Sequence, residues 1–155
     1  MRRLAKRLAT LGGLGRLPAP GTWGSAVGVI LGWGLLHIAS APWRWSALAM
    51  MIALSVAICG LAEQLLGRHD APEIILDEVC AMAALVALAP LLGQIPVLSA
   101  VAFGLFRAFD IFKPPPLKRL AQLPGGWGIV LDDVGAAAYT LLVLGLILWW
   151  VRRPM

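Results

Sequence analysis

Residues 128–151 read GIVLDDVGAAAYTLLVLGLILWWV, and the last 18 of them, 134–151, carry no charge. A helix of 18 residues is about 27 Å long, close to the hydrocarbon thickness of a bilayer. Asp132 and Asp133 stand together just ahead of this run. The stretch therefore predicts a membrane-crossing helix with a pair of carboxylates at its entrance. The rest of the chain has the same character: of 155 residues, 60% are hydrophobic and 14% charged, with a mean hydropathy of +0.84. A soluble domain of this size has too little interior for so much apolar surface. The expected fold is all-α, a multi-span helical membrane protein whose single membrane-embedded domain covers residues 1–155.

Working back from that helix, four more apolar segments can be drawn, over residues 23–39, 43–66, 74–92 and 95–112. The third and fourth are broken by Pro90, Gly93 and Pro96. They read either as two spans or as a re-entrant hairpin, so four to five membrane-embedded helices are expected. Residues 1–12 read as a basic segment lying on the membrane surface, with Leu4, Leu8 and Leu11 on one face among Arg2, Arg3, Lys6 and Arg7. Cys59 and Cys80 lie inside apolar runs without metal-ligand spacing and read as small core residues.

With five crossings, one side collects Arg2, Arg3, Lys6, Arg7, Arg16, Arg68, Arg107, Lys113, Lys118 and Arg119, and the other Arg44, Arg152 and Arg153. That bias assigns the first side to the cytoplasm. The net charge of +5 is therefore read as orientation and contact with anionic lipid, not as binding to nucleic acid. Six of the seven tryptophans (Trp23, Trp43, Trp45, Trp127, Trp149 and Trp150) fall near span ends, as an interfacial belt requires. Nothing in the sequence fixes an oligomeric state.

All eight acids, Glu63, Asp70, Glu73, Asp77, Glu78, Asp110, Asp132 and Asp133, fall on that cytoplasmic side at or near helix ends. A charge at the bilayer centre costs roughly 2.5–3.5 kcal/mol, which keeps acids from the middle but does not choose a face. Ile74-Ile75-Leu76-Asp77-Glu78-Val79 and Ile129-Val130-Leu131-Asp132-Asp133-Val134 are near copies that each lead into an alanine-rich run. Helix capping is the plain reading of such pairs. Adjacent helical residues point about 100° apart, however, so a pair can also offer one carboxylate to a ligand and one to a neighbouring helix. Metal ligation or catalysis by Asp77, Glu78, Asp132 and Asp133 is the sharper reading.

Arg107, Asp110 and Lys113 are spaced i, i+3, i+6 ahead of Pro114-Pro115-Pro116, which reads as a stiff extended segment. A local Arg107–Asp110 ion pair is the plain reading. The alternative is a metal ligand, Asp110, beside two phosphate-binding cations. Gly126, in the Gly125-Gly126-Trp127-Gly128 turn, and Thr22, Gly24 and Ser25, near a helix start, are candidate phosphate contacts, although Thr22 or Ser25 can equally serve as an N-cap. Glu63, at the end of the second segment, joins the candidate metal ligands, while His69 reads most simply as solvated. Oxygen ligands without a Cys/His cluster favour Mg²⁺ over zinc. Together these residues suit metal-assisted phosphoryl transfer or hydrolysis on a phosphorylated lipid, with Asp77, Asp110, Asp132, Arg107 and Lys113 as candidate catalytic residues.

Four ordered blocks extend this reading: Pro20-Gly21-Thr22-Trp23-Gly24-Ser25; His69-Asp70 through Asp77-Glu78; Phe106-Arg107-Ala108-Phe109-Asp110-Ile111-Phe112-Lys113-Pro114; and Gly125 through Asp133. Across residues 13–138 they resemble the phosphatidylglycerophosphatase A family. The resemblance implies an Mg²⁺-dependent enzyme of the bacterial inner membrane that converts phosphatidylglycerophosphate to phosphatidylglycerol; the charge bias turns its site toward the cytoplasm. Ala81 and Ala137 stand where this family usually has glycine. The readings set against it are a phosphatase of another phospho-lipid, and a non-enzymatic divalent-cation carrier or membrane scaffold.

Overall fold

The protein is described by a computed structural model covering residues 2–37 and 40–152, without the side chain of Arg2. The far end of the expected 23–39 helix and Arg153 lie outside the described residues. Among the described residues the secondary structure is entirely helical: α1 (Arg2–Ala9), a 3-10 segment (Leu11–Arg16), α2 (Pro20–Leu36), α3 (Ala41–Leu66), α4 (Leu76–Leu88), α5 (Pro90–Gln94), α6 (Pro96–Phe112), α7 (Leu117–Leu120) and α8 (Gly126–Val151).

Two of these helices, α3 and α8, are long and apolar enough to cross a membrane. Each buries only 22% of its most apolar window, so their outer faces present residues such as Met50, Leu54, Leu142 and Leu146 outward. A face of this kind marks a contact with lipid or with another protein surface. On α8, Trp149 follows Trp127 by 22 residues, which is about 33 Å along the axis and matches the spacing of two bilayer interfaces. Trp23, Trp43, Trp45, Trp127, Trp149 and Trp150 are all exposed at helix ends. These features give an all-helical, membrane-associated protein.

The expected third helix, 74–92, is not continuous. α4 ends at Leu88, Ala89 leaves the helical region (φ −118°, ψ 79°), and Pro90 opens the separate short helix α5. At 13 residues α4 is about 20 Å long, too short to cross the hydrocarbon alone. It is instead the helix that the others surround. Ten of its residues are buried, and it packs most extensively on α2, then on α8 and α3. Glycines on α2 make that approach close: a Cβ at Gly28 would lie 2.7 Å from the Met82 Cβ, and one at Gly32 would lie 2.6 Å from the Val86 Cβ. Met82, Leu85, Val86, Ala102, Phe106, Ala136 and Leu144 join α4, α6 and α8 in one core. Cys59 and Cys80 are buried free thiols within this packing.

Three smaller differences bear on the site. α2 starts at Pro20, three residues earlier than expected, because proline at the first helical position loses no hydrogen bond. α8 starts at Gly126, where a Cβ would lie 1.9 Å from the Val56 carbonyl oxygen. Pro114–Pro116 turns, with a cis Pro115–Pro116 peptide, in place of the extended segment expected. The Leu117 N–H donates to the Pro114 carbonyl (2.7 Å), and Leu117 is buried as α7 begins.

Candidate active site

Five helix ends meet at one end of the bundle: the starts of α2, α4 and α8 and the finishes of α3 and α6. Between them lies a cavity of about 250 Å³ lined by Ala19, Pro20, Gly21, Asp70, Pro72, Ile74, Asp77, Glu78, Arg107, Asp110, Lys113, Ile129, Asp132 and Asp133. Six of the eight acids of the chain therefore face one space, with two cations among them.

Each acid arrives by a different device. Asp77 and Glu78 occupy the first turn of α4, whose N-cap residue, Ile75, makes no side-chain capping hydrogen bond. Asp132 and Asp133 lie in the second turn of α8 and not at its start, because Gly126 brings the helix in earlier. The 100° offset separates the second pair. Asp132 accepts a hydrogen bond from the Lys113 ammonium, while Asp133 faces Asp77 and Glu78. One carboxylate oxygen from each of Asp77, Glu78 and Asp133 falls within 4.8 Å of the other two. Asp110 Oδ2 accepts from Arg107 Nη1 at 2.6 Å, and the same guanidinium nitrogen lies 3.7 Å from Glu78 Oε1. Lys113, in the left-handed conformation at the end of α6, also lies 3.6 Å from Asp70.

The acids exceed what these cations can satisfy. Asp77 Oδ1, Glu78 Oε2, Asp132 Oδ1 and Asp133 Oδ2 are buried and have no hydrogen-bond partner. Unpartnered carboxylate oxygens removed from water are costly, and a divalent cation is the natural counter-charge for them. Oxygen-only donors on short side chains match a hard ion such as Mg²⁺ or Ca²⁺. Burial of Lys113 works against its charge, but the hydrogen bond and charge of Asp132, with Asp70 and Asp133 nearby, win and push its pKa above the ordinary lysine value. Lys113 is thus a fixed cation and a poor proton donor at neutral pH.

Not every sequence candidate reaches this space. Glu63 lies outside the cavity lining and pairs with His69 Nδ1, whose Nε2 donates to the Ala121 carbonyl (3.0 Å). Thr22 is exposed and does not line the cavity. Gly24 and Ser25 are buried in the α2–α4 seam, where Ser25 Oγ donates to the Gly21 carbonyl at 2.8 Å. Gly126 packs on α3. The early start of α2 accounts for this: it turns Thr22 and Ser25 into ordinary helical positions and puts Ala19, Pro20 and Gly21 at the cavity. Asp70, which the sequence marks through the His69-Asp70 block of the family resemblance but without a role, lines the cavity; its left-handed φ of 47° is not readable from residue type. Gly21 is also essential to the geometry, since a Cβ there would lie 2.4 Å from Glu78 Oε1 and 2.5 Å from Arg107 Nη1.

A helical, membrane-associated protein with a recessed acidic cavity and two embedded cations has groups suited to phosphate esters at a lipid surface. Residues 7–148 match the family model of phosphatidylglycerophosphatase A, and the chain belongs to that family. It is 38% identical over 135 residues to the Haemophilus influenzae protein named phosphatidylglycerophosphatase A, covering 86% of this chain and 82% of the relative. It is also 27% identical over 146 residues, 84% of each chain, to a Bacteroides thetaiotaomicron protein provisionally named phosphatidylinositol-3-phosphatase. No solved structure matches the chain.

Proposed function

We propose that this protein is a phosphatase that hydrolyses phosphatidylglycerophosphate to phosphatidylglycerol and inorganic phosphate, with Mg²⁺ as cofactor. We read it as a multi-pass protein of a bacterial inner membrane with its cavity toward the cytoplasm. Family membership and the likeness to the Haemophilus protein support the substrate. The observation that carries the metal reading is the set of four buried, unpartnered carboxylate oxygens on Asp77, Glu78, Asp132 and Asp133. The alternating directions of α2, α3, α4, α6 and α8 relative to the cavity, with the excess of basic residues at that end, support the orientation.

Asp77, Glu78 and Asp133 are the residues to hold the ion, with Asp110 and Asp132 beside them. When bound, Mg²⁺ supplies positive charge against the phosphoryl oxygens and lowers the pKa of a coordinated water. With six carboxylates against two cations, the cavity repels a phosphomonoester dianion until that balance changes. Arg107 offers a planar set of donors to the terminal phosphate, and Asp110 and Glu78 hold its guanidinium in place. Lys113 fixes a second positive charge, aimed by Asp132. In the reaction the P–O ester bond breaks, the oxygen from water stays on the released phosphate, and the glycerol oxygen takes up a proton.

The test is phosphate release by purified protein in mixed micelles containing phosphatidylglycerophosphate, phosphatidylinositol 3-phosphate or phosphatidate, each with Mg²⁺ or with chelator. Release confined to phosphatidylglycerophosphate and to the Mg²⁺ arm is the expected result. Preference for the inositol lipid would reassign the substrate, and equal release in chelator would remove the metal.

A further inference from the structure

A second charged cavity lies outside the candidate active site, and it is basic. Arg3, Lys6, Arg7 and Arg16, with Thr10, Gly12 and Gly13, line a space of about 340 Å³ that has no acidic residue in its wall. All eight acids of the chain are committed elsewhere: six line the acidic cavity, Glu73 pairs with Arg68, and Glu63 pairs with His69. The four cations thus have no counter-charge among the described residues.

The backbone makes the concavity. Leu11, Gly12 and Gly13 take successive left-handed angles (φ 44°, 70° and 116°), and the Thr10 carbonyl accepts from both Gly13 and Gly15. This curl brings Arg16 back toward α1, and the two glycines leave open space where side chains would stand. Around α1, three faces separate as the 100° step requires. Ala5 and Ala9 are buried, Arg3, Lys6 and Arg7 face the cavity, and Leu4 and Leu8 are exposed at 61% and 46%.

We infer that this cavity is a binding site for the phosphate of an anionic phospholipid headgroup, distinct from the substrate site. Four uncompensated cations around an open space select an anion. The adjacent Leu4–Leu8 stripe selects the lipid source over free phosphate, because it seats α1 at the depth of the headgroups. The site also touches the acidic cavity through backbone. The Ala9 carbonyl accepts from the Ile75 N–H at 2.9 Å, two residues before Asp77, and Gly15 is so close to the Glu73 carbonyl that a Cβ would lie 2.0 Å from that oxygen. A lipid held here braces the segment from which Asp77 and Glu78 project.

The experiment is spin-label lipid selectivity on full-length protein reconstituted in phosphatidylcholine vesicles, with nitroxide-labelled phosphatidylserine or phosphatidylcholine as probe. Phosphatidylserine carries no terminal phosphomonoester, so the reading is independent of turnover and of the proposed substrate. The wild type is expected to immobilise the serine lipid in excess of the choline lipid. Lys6→Gln, Arg7→Gln and Arg16→Gln should each weaken that preference by about fivefold at most, and the triple variant should abolish it. Leu4→Ser/Leu8→Ser should weaken it while the four cations remain. Helical circular dichroism checks the fold of each variant. If the triple variant is misfolded, the comparison is Arg16→Gln against Lys118→Gln/Arg119→Gln, which leaves all four cavity cations and should keep the preference that Arg16→Gln weakens. Equal immobilisation of both lipids by wild type, or undiminished preference in a folded triple variant, overturns the inference. Displacement of the serine lipid by millimolar inorganic phosphate, with the Leu4/Leu8 variant unaffected, overturns the lipid assignment.

Discussion

Replacing Gly21 with alanine should separate the catalytic geometry from the fold. The new Cβ would lie 2.4 Å from Glu78 Oε1 and 2.5 and 2.8 Å from the two terminal nitrogens of Arg107, where ordinary contact begins at 3.4 Å. Relief therefore needs a movement of about 1 Å in both side chains, and a misplacement of that size costs on the order of 10²-fold in rate. The atoms in the way are the flexible ends of long side chains and not backbone, so the helix packing can stay as it is. Gly28→Ala is the matched control. Its Cβ would lie 2.7 Å from both the Met82 Cβ and the Val79 carbonyl oxygen, which cannot swing aside, so that variant should lose thermal stability first. The assay is initial-rate phosphate release at saturating Mg²⁺ and substrate, paired with a melting curve in the same detergent. Gly21→Ala with wild-type turnover would falsify the assignment of Glu78 and Arg107 to the working site. A Gly21→Ala protein that melts as early as Gly28→Ala would show the effect to be structural.

The other residues give sharper but narrower tests. Asp77→Asn and Asp133→Asn each remove one of three clustered ligand oxygens, so half-saturation by Mg²⁺ should rise at least about tenfold, with partial recovery of activity at high Mg²⁺. Lys113→Met removes a fixed cation and should cost about 10²–10³-fold in kcat/KM that added Mg²⁺ does not restore. Asp70→Asn, on the more exposed side of Lys113, should cost much less than Asp132→Asn in the same assay. At His69 the hydrogen bond to the Ala121 carbonyl, then that to Glu63, raises the pKa. Stabilisation from the raised folded pKa is complete below the ordinary histidine pKa of about 6.5 and is lost as pH rises through the folded value. Melting temperatures between about pH 5.5 and 8.5 should fall in wild type with a component that His69→Ala lacks.

Much of the site could be read from residue type because charge in an apolar chain has few tolerable places. Asp77, Glu78, Asp110, Asp132, Asp133, Arg107 and Lys113 all line one cavity, and each was conspicuous against uncharged neighbours. What the sequence concealed depends on backbone. A loop acid such as Asp70 has no periodicity, and its place at the cavity beside Lys113 depends on a left-handed backbone turn. The role of Gly21 is a distance between two helices, which no local pattern encodes, although Pro20 as a helix-start signal marks the true first turn and puts Thr22 and Ser25 inside the helix. Pro90 marks the break after α4, but the burial of α4 is illegible for a different reason. A run that is apolar on all sides satisfies lipid and protein equally, so its composition does not reveal that other helices cover it.

The position of α4 explains how this small protein keeps its acids where bulk solvation is poor. Asp77 and Glu78 are fixed to a short helix enclosed by α2, α3 and α8, so they cannot escape to water by tilting or fraying. Asp133 is brought against them from α8, whose remaining turns run on as one of the two long apolar helices. The glycine seam on α2 closes the other side and brings Gly21 against Glu78 and Arg107. Each helix is held by apolar packing along its length, and that packing is what opposes mutual repulsion of the carboxylates at the end. Binding a divalent ion would relieve the repulsion without requiring the helices to move. The same rigidity that makes the crowding of carboxylates costly would therefore leave Asp77, Glu78 and Asp133 preorganised for the proposed ion.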